Sequence, residues 1–288
     1  MFKITYAERL NDQVMLMKFD APLIAAKVLP GQFVMLRIDE TGERIPLTIA
    51  DHDKKAGTIT LVFQEIGKTT MQLGRMSDGD YISDLVGPLG LPSEFDGYKR
   101  VCVIGGGLGC AIAYPQAKAL SELGAEVDVI AGFRNAGLVF FEKEMSAVAS
   151  RLIVTTDDGS NGKKGLVTDM LKELIAGGAK YDAVIAIGPL IMMKFVCLTT
   201  KEFGIKTIVS MNPLMVDGTG MCGCCRLSVG NETKFACVDG PDFDGHQVDF
   251  DEAMRRCAHY KPEEKHAIMS YECRLAGGKG HDNESEAV

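Results

Sequence analysis

The sequence has too few basic residues to suggest a polyanionic partner. Its 288 residues include 31 Lys and Arg against 39 Asp and Glu, which gives a formal net charge of −8 at pH 7. An acidic surface disfavours nucleic acid and anionic membranes as the main partner. We therefore expect neither of them to be bound.

Long hydrophobic runs are also missing. The longest apolar stretch, residues 183–198, is interrupted by Pro189 and Lys194, and it falls short of the ~20 residues that a membrane-spanning helix needs. The first residues, MFKITYAERL, contain no apolar core of a secretory signal. Together these absences predict a cytoplasmic protein without a membrane anchor.

Residues 1–97 have the pattern of a small antiparallel barrel. Short alternating or β-branched runs are separated by Asp, Gly, Asn and Pro, and even spacing of this kind is typical of barrels and sandwiches. The predicted strands cover residues 2–8, 14–19, 32–38, 57–66 and 81–86.

Residues 98–210 alternate between strand and helix patterns. This order predicts a parallel sheet with helices on both faces, an α/β nucleotide-binding fold. Strands are expected at 101–104, 126–131, 152–156, 183–187 and 207–209, and helices near 110–123, 141–149, 166–175 and 191–203.

Residues 211–288 are rich in Cys and Gly and show little periodicity. A small loop-rich lobe of this type usually needs a metal centre for stability. The polar residues from Gly277 onward are expected to be frayed.

A glycine-rich turn follows the first strand of the α/β segment. Gly105, Gly106, Gly107 and Gly109 would open a helix, where a nucleotide pyrophosphate can bind free backbone N–H groups. However, Cys110 replaces the last glycine of the dinucleotide fingerprint, and the expected ribose-binding acid is missing after the next strand. A nucleotide site and a tight turn without a ligand both remain open.

The cysteines favour metal or redox use, because nine is an odd number and the protein is expected to be intracellular. Cys222, Cys225 and Cys237 match the last three positions of the plant-type pattern for two-iron clusters. Asp217 occupies the first position at the correct spacing, and a carboxylate can ligate iron. We therefore predict a [2Fe-2S] cluster held by Asp217, Cys222, Cys225 and Cys237.

Three alternatives to this ligand set remain. Cys224 could replace Asp217 as the fourth ligand, although its neighbour Cys225 makes shared ligation awkward. A structural zinc site that includes His246, or a set of buried thiols without a metal, could also explain the cysteines.

Two motifs in the barrel segment suggest a flavin site. Arg44-Ile45-Pro46-Leu47-Thr48, which we expect to end a β stretch, is followed by Gly67-Lys68-Thr69-Thr70. An Arg and the backbone amides of a Gly/Thr turn can bind a diphosphate, and a hydroxyl such as that of Thr48 can bond a flavin ring nitrogen. Taken singly, each motif could equally be an exposed hairpin.

In this order the motifs resemble the ferredoxin–NADP reductase superfamily, and more closely its branch with a C-terminal two-iron cluster. That branch holds the electron-transfer subunits of dihydroorotate dehydrogenase and the small subunits of NADH-dependent reduced ferredoxin:NADP oxidoreductases, also described as sulfide dehydrogenase subunits. Asp217 favours the second group, because the first has Cys at this position. The other matching landmarks are Gly87–Gly90, Gly105–Gly109, Asp157–Ser160 and Gly188-Pro189.

The resemblance implies FAD in the barrel, NAD(H) in the α/β segment and a [2Fe-2S] cluster in residues 211–288. Thr48 would lie beside the reacting ring as the catalytic position. The implied FAD contacts are Arg44, Ile45, Pro46, Leu47, Thr48, Val62, Phe63, Gln64, Gly67, Thr69 and Thr70. The implied nucleotide contacts are Gly105, Gly106, Gly107, Gly109, Asp157, Asp158, Gly159, Gly188 and Pro189.

The resemblance also implies a heterodimer with a larger iron–sulfur flavoprotein that binds NADP(H) and ferredoxin, and electron bifurcation between them. The dihydroorotate and sulfide dehydrogenases are alternative complexes, and a zinc-stabilised nucleotide-binding module is the non-enzymatic alternative. Arg134 could favour a 2′-phosphate and hence NADP. The resemblance and the nearby Glu142 and Glu144 favour NAD.

Overall fold

The computed structural model describes residues 1–95 and 97–275. The N-terminal part of the chain forms an antiparallel barrel. Its sheet has the strand order β6-β1-β2-β5-β4-β3-β7. Only Ser83 separates β6 from β7, although they lie at opposite edges, so the sheet curls into a nearly closed barrel. The strands are β1 (Phe2–Asn11), β2 (Val14–Asp20), β3 (Phe33–Arg37), β4 (Ile45–Asp53), β5 (Thr58–Gln64), β6 (Tyr81–Ile82) and β7 (Asp84–Leu89), with helices α1 (Pro22–Ala25) and α2 (Lys68–Leu73).

The prediction that Arg44–Thr48 ends a β stretch is wrong. Arg44 precedes β4, and the motif begins that strand rather than ending one. β4 carries Pro46 and several polar residues, and its first four residues are only half-buried. The alternation of apolar and polar residues that marks a half-buried strand is therefore weak here.

The second part contains the predicted parallel sheet. β11 is fully buried and apolar throughout, as expected for a central parallel strand. The strands, in the order β10-β9-β8-β11-β12, are β8 (Arg100–Gly106), β9 (Glu126–Phe133), β10 (Arg151–Thr156), β11 (Ala183–Ile187) and β12 (Lys206–Ser210). The helices are α3 (Gly109–Glu122), α4 (Glu142–Val148), α5 (Val167–Ala176) and α6 (Leu190–Glu202), with a 3-10 turn at Ala136–Leu138.

The C-terminal lobe has more regular structure than its sequence indicates. A hairpin is formed by β13 (Arg226–Val229) and β14 (Glu232–Phe235), followed by α7 (Ala236–Asp239), β15 (Asp242–Asp244), α8 (Phe250–Cys257) and α9 (Lys261–Leu275). β15 pairs antiparallel with β12, so the lobe extends the neighbouring sheet. Elements of three or four residues are too short to produce a periodic pattern, and α9 buries no residue completely.

The fold class predicted from the sequence is confirmed: an antiparallel barrel, an α/β sheet and a cluster lobe follow one another along the chain. Within the described ranges, none of the helices is both long and apolar enough to cross a bilayer. The predicted fraying from Gly277 falls outside the described residues.

Candidate cofactor site

The two barrel motifs lie side by side. Thr69, which is buried, donates its hydroxyl to Glu43 Oε2 at 2.6 Å, and Glu43 directly precedes Arg44. The Thr70 hydroxyl accepts from the backbone N–H of Gly67 at 3.0 Å and thereby shapes the turn. The structure thus brings together the residues that the sequence assigned to a flavin diphosphate. It also adds Glu43, which no sequence motif indicated.

Thr48 lies on the half-buried side of β4. In the β3–β4 register it pairs with Phe33, while Pro46 pairs with Met35. Its side chain is partly accessible, which suits a hydroxyl that contacts a ligand. The half-buried residues Ile45, Pro46 and Leu47 continue the same stretch.

The predicted FAD contacts on β5 are less accessible than those on β4. Phe63 is sealed in the barrel core and Val62 is buried as well. Gln64 Nε2 donates to Gln13 Oε1 at 2.7 Å. The buried side chains of Val62 and Phe63 leave backbone atoms as their means of contacting a cofactor.

The glycine turn after β8 packs closely against the end of β11. A Cβ at Gly106 would lie 2.3 Å from Met192 Sδ, and one at Gly109 would lie 2.2 Å from the carbonyl oxygen of Ile187. Gly107 differs, since it has φ +55° and a Cβ there would meet nothing within 4 Å. Packing therefore accounts for Gly106 and Gly109, and Gly107 is the position of this turn that faces open space.

Gly105 and Gly188 complete this contact. A Cβ on Gly105 would lie 2.8 Å from Cys110 Sγ, and one on Gly188 would lie 3.1 Å from the Cα of Gly106. The predicted nucleotide residues of β8 and β11 therefore meet at the carboxyl edge of the sheet, with the exposed Pro189 beside them.

The Asp157–Gly159 turn lies two strands away, at the end of β10. The Asp158 carboxylate accepts from the Ser160 hydroxyl at 2.7 Å and from its backbone N–H at 2.9 Å, and these bonds lower the pKa of Asp158. The Ser160 hydroxyl in turn accepts from Ala136 N at 2.7 Å. Asp158 thus shapes its own turn, whereas Asp157 and the nearby Arg134 are exposed.

Asp217 organises the cysteine loop. Its carboxylate accepts from the backbone N–H of Thr219 at 2.9 Å and of Cys222 at 2.8 Å, and these bonds lower its pKa. Glycines at positive φ bend the loop around it: Gly218 (+74°), Gly220 (+85°) and Gly223 (+67°). The first and second predicted ligands are therefore neighbours.

The third and fourth predicted ligands face each other. Cys225 Sγ lies 3.3 Å from Cys237 Sγ, and both residues are 2% exposed. Burial raises the pKa of Cys237 to about 12. A metal would reverse this effect, because thiol ligands bind as thiolates.

The structure thus forms two ligand pairs. In the described part of the chain, no three His, Cys, Asp or Glu residues converge closely enough to hold a metal ion. The residues still fit an iron–sulfur cluster, since the loop supplies three soft thiols, one carboxylate and several glycine turns. Joining the two pairs is the change that a cluster requires.

Cys224 and His246, the residues named in the alternatives to this ligand set, each have a partner of their own. A hydrogen bond from the backbone N–H of Cys224 lowers the pKa of Cys222, whereas the Cys224 thiol, bonded to Cys222, has a raised pKa. This asymmetry favours Cys222 over Cys224 as a thiolate. His246 Nε2 lies 3.0 Å from Thr200 Oγ1, so its ring is engaged with α6.

The cysteine loop rests directly on the barrel. A Cβ on Gly218 would lie 2.6 Å from Met35 Cγ and 3.0 Å from Leu89 Cδ1. Met35 pairs with Pro46 of the predicted flavin motif. The loop next to Asp217 and the Arg44–Thr48 motif therefore contact the same strand of the barrel, β3.

Comparisons with known proteins agree with this arrangement. Residues 212–249, which include all four predicted ligands, match the iron–sulfur cluster binding domain of dihydroorotate dehydrogenase B. The chain is 48% identical over 252 residues to a dihydroorotate dehydrogenase B (NAD+) electron transfer subunit homolog of Thermotoga maritima, covering 88% of each chain. It is 52% identical over 280 residues to an uncharacterized protein in the adh 3′ region of Clostridium beijerinckii, covering 94% of this chain and 95% of that one.

A solved structure is similar over nearly the whole chain. It is a chain of the NADH-dependent reduced ferredoxin-NADP oxidoreductase, studied for flavin-based electron bifurcation, with a TM-score of 0.90 and 44% identity over 96% of this chain and 98% of that one. The predicted resemblance and the predicted cofactor classes (flavin, iron–sulfur cluster and nicotinamide nucleotide) are thereby confirmed. The chain belongs to the family of dihydroorotate dehydrogenase B electron-transfer subunits and their homologues, flavin and iron–sulfur oxidoreductase subunits of the ferredoxin–NADP reductase superfamily.

Proposed function

We propose that this chain is the NAD(H)-linked electron-transfer subunit of an electron-bifurcating NADH-dependent ferredoxin:NADP oxidoreductase. One observation carries the proposal: Gly218 packs on Met35 and Leu89, so the cluster loop and the flavin motif contact the same barrel strand. The similarity to the bifurcating oxidoreductase chain supports it, because 98% of that chain is covered.

The barrel residues bind and orient the flavin. The Arg44 guanidinium and the backbone of Gly67–Thr70 hold the FAD diphosphate, and the Thr48 hydroxyl orients the ring. Bound FAD supplies the step that a protein cannot perform, acceptance of a hydride and delivery of single electrons to the cluster. Glu43 is bonded to Thr69 and would repel a phosphate, so its carboxylate suits the hydroxyl-bearing part of the cofactor.

The carboxyl edge of the parallel sheet binds NAD(H), as is usual in such sheets. The nucleotide approaches Gly107, the open position of the glycine turn, while Gly188 and Pro189 shape the nicotinamide side. The exposed Asp157 and Arg134 lie where the ribose end would extend. A KM for NADPH well below that for NADH would overturn the assignment to NAD.

Asp217, Cys222, Cys225 and Cys237 ligate the [2Fe-2S] cluster. Cys222 and Met221 are exposed, Met221 at 87%, so the outer side of the loop is open to a partner. We place there a larger iron–sulfur flavoprotein, which carries the NADP(H) and ferredoxin sites.

The second candidate is an electron-transfer subunit of dihydroorotate dehydrogenase. The name of the Thermotoga maritima relative favours it, whereas Asp217 at the first ligand position favours the ferredoxin:NADP oxidoreductase. The partner decides between them. The second candidate would be established by a neighbouring gene for an FMN barrel enzyme, together with reduction of orotate by NADH when this chain is combined with the enzyme that the gene encodes.

The proposed function is tested by a visible spectrum of the anaerobically purified chain before and after one equivalent of NADH. Flavin bands over a broad iron–sulfur absorption, both bleached by NADH, are expected. A colourless protein containing zinc would contradict the function and leave the fold unaffected. Bleaching by NADPH and not by NADH would contradict the choice of nucleotide.

A further inference from the structure

Asp242, a half-buried residue whose Oδ1 is sealed from solvent, lies where the three parts of the chain meet. Asp242 of β15 accepts from the Ser93 hydroxyl at 2.5 Å and from Gln116 Nε2 at 3.3 Å. Ser93 belongs to the segment that links the barrel to the sheet, and Gln116 lies on α3 with no exposed surface. One side chain of the cluster lobe is thus bonded to both other parts.

Among residues 1–95 and 97–275, the side chains that contact the Asp242 carboxyl group include no cation to balance a carboxylate. Ser93, Gln116 and Ser210, the residue opposite Asp242 in the β12–β15 register, face it, and all three are uncharged. Lys118, the nearest charged residue along α3, is bonded to Asp51. Asp244 of the same strand is exposed and accepts from the loop residues His246 and Gln247.

Two acceptor atoms at this point also lack donors. Asp242 Oδ1 and Gln116 Oε1 are both sealed from solvent and have no hydrogen-bond partner in the described part of the chain. A buried carboxylate without a cation and with an unpaired oxygen is costly, whereas a carboxylic acid carries no charge and adds one donor. Burial correspondingly raises the pKa of Asp242.

Asp242 is close to the contact between barrel and cluster loop. Leu91 N donates to Gly240 O at 2.6 Å, and a Cβ on Gly90 would lie 3.0 Å from Phe33 Cε1 and 3.1 Å from Gly240 O. Phe33 pairs with Thr48. Cys237, a predicted cluster ligand, precedes Asp242 by five residues. A shift of Asp242 would therefore move the cluster lobe relative to the flavin strand.

We propose that Asp242 is held as a neutral carboxylic acid and acts as a positioning residue that fixes the cluster lobe against the barrel for electron transfer. The proposal deepens the proposed function and rests on it for the electron-transfer part. The protonation state does not depend on it and can be tested separately.

The first test compares thermal midpoints of the full chain and of Asp242→Asn between pH 4 and 8. When folding raises the pKa of a carboxyl group, the folded protein loses stability as the pH rises above 3.8, the ordinary pKa of Asp. The thermal midpoint of the neutral Asn variant should therefore rise relative to that of the wild type over this pH range. The expected difference is about 3–5 °C for each unit by which the pKa is raised. Asp244→Asn, the exposed control on the same strand, should follow the wild-type pH profile. Parallel profiles for wild type and Asp242→Asn would overturn the neutral state.

The second test follows reduction of the anaerobic holoprotein by NADH in a stopped-flow instrument, with flavin and cluster absorbance recorded separately. Asp242→Ala should slow the cluster phase measurably, since the rate of electron transfer falls steeply as the distance between flavin and cluster grows. Flavin bleaching should keep its wild-type rate, and Asp242→Asn should restore the cluster phase. An unchanged cluster phase in Asp242→Ala would overturn the positioning role.

Failure of the proposed function can be told apart from failure of the proposal for Asp242. If NADH reduces the flavin of the wild type but never its cluster, the proposed function fails, and the pH profiles still decide the state of Asp242. If Asp242→Ala does not fold, a slowed cluster phase in Asp242→Leu supports the role and an unchanged one overturns it.

Discussion

The glycine turn at residues 105–109 and the cysteine loop at residues 217–225 are both rich in glycine, but they use it differently. In the turn, Gly109 is required because its Cβ would collide with the backbone of β11, and a Cβ on Gly106 would displace the Met192 side chain of α6. In the loop, Gly220 and Gly223 have positive φ and a Cβ would find contacts no closer than 3.1 Å. Close packing therefore dominates in the turn. In the loop all three glycines have positive φ, and Gly218 alone among them also packs closely, on Met35 and Leu89.

The difference predicts how each site depends on its ligand. The glycine turn is built into a sheet edge and should keep its shape without a nucleotide. The cysteine loop has its ligands in two pairs, Asp217 with Cys222 and Cys225 with Cys237. We therefore expect the loop to reach its final form only when the proposed cluster is bound.

The largest effect is expected from Cys225→Ser. It removes a buried thiol that faces Cys237, so the cluster should be lost and the lobe should become sensitive to proteolysis. FAD content should stay at the wild-type level, because the flavin motif lies on the barrel. Iron and flavin assays on the purified chain check this, with Cys273→Ser as the exposed control. A normal iron content would show that Cys225 is not a ligand.

Gly109→Ala should be the most damaging change in the glycine turn. Its Cβ would lie 2.2 Å from the Ile187 carbonyl oxygen and 2.8 Å from the Gly188 Cα, and backbone cannot move away cheaply. Overpacking of this kind costs about 1–3 kcal/mol or more. The thermal midpoint should fall with and without NADH, and an unchanged midpoint would mean that packing does not require this glycine.

Gly107→Ala is the matched change at the open position. Its φ of +55° should cost about 1 kcal/mol, less than at Gly109. The added methyl group should raise the KM for NADH severalfold, because it points to the proposed nucleotide side. Equal KM values would remove Gly107 from the nucleotide site.

Asp217→Cys should have the smallest effect on assembly. A thiolate can replace the carboxylate as ligand, so the cluster should be retained with a changed reduction potential and EPR spectrum. Loss of the bonds to Thr219 and Cys222 N–H should loosen the loop slightly. If spectrum and potential both stay unchanged, Asp217 does not bind iron.

The sequence predicted the bounds of a strand best where the strand is apolar and completely buried. β11 has the predicted bounds, 183–187, because all five of its residues are apolar. β4 was missed because Pro46 and its polar residues obscure the alternation, and α9 was missed because it has no wholly buried face.

The motif residues were predictable, while their supporting contacts were not. Cys spacing and glycine runs are local signals in the chain. Glu43 and Asp242 act through partners far away in sequence, Thr69 and Ser93. Only the folded arrangement brings these residues together, so composition and spacing carry no trace of them.

The central claim is that NADH electrons reach the cluster within this one chain, through the barrel strand that Gly218 contacts. It is tested most directly by EPR of the anaerobic chain frozen after addition of one equivalent of NADH. The account predicts the signal of a reduced two-iron cluster without any partner protein. A bleached flavin with no cluster signal would contradict it.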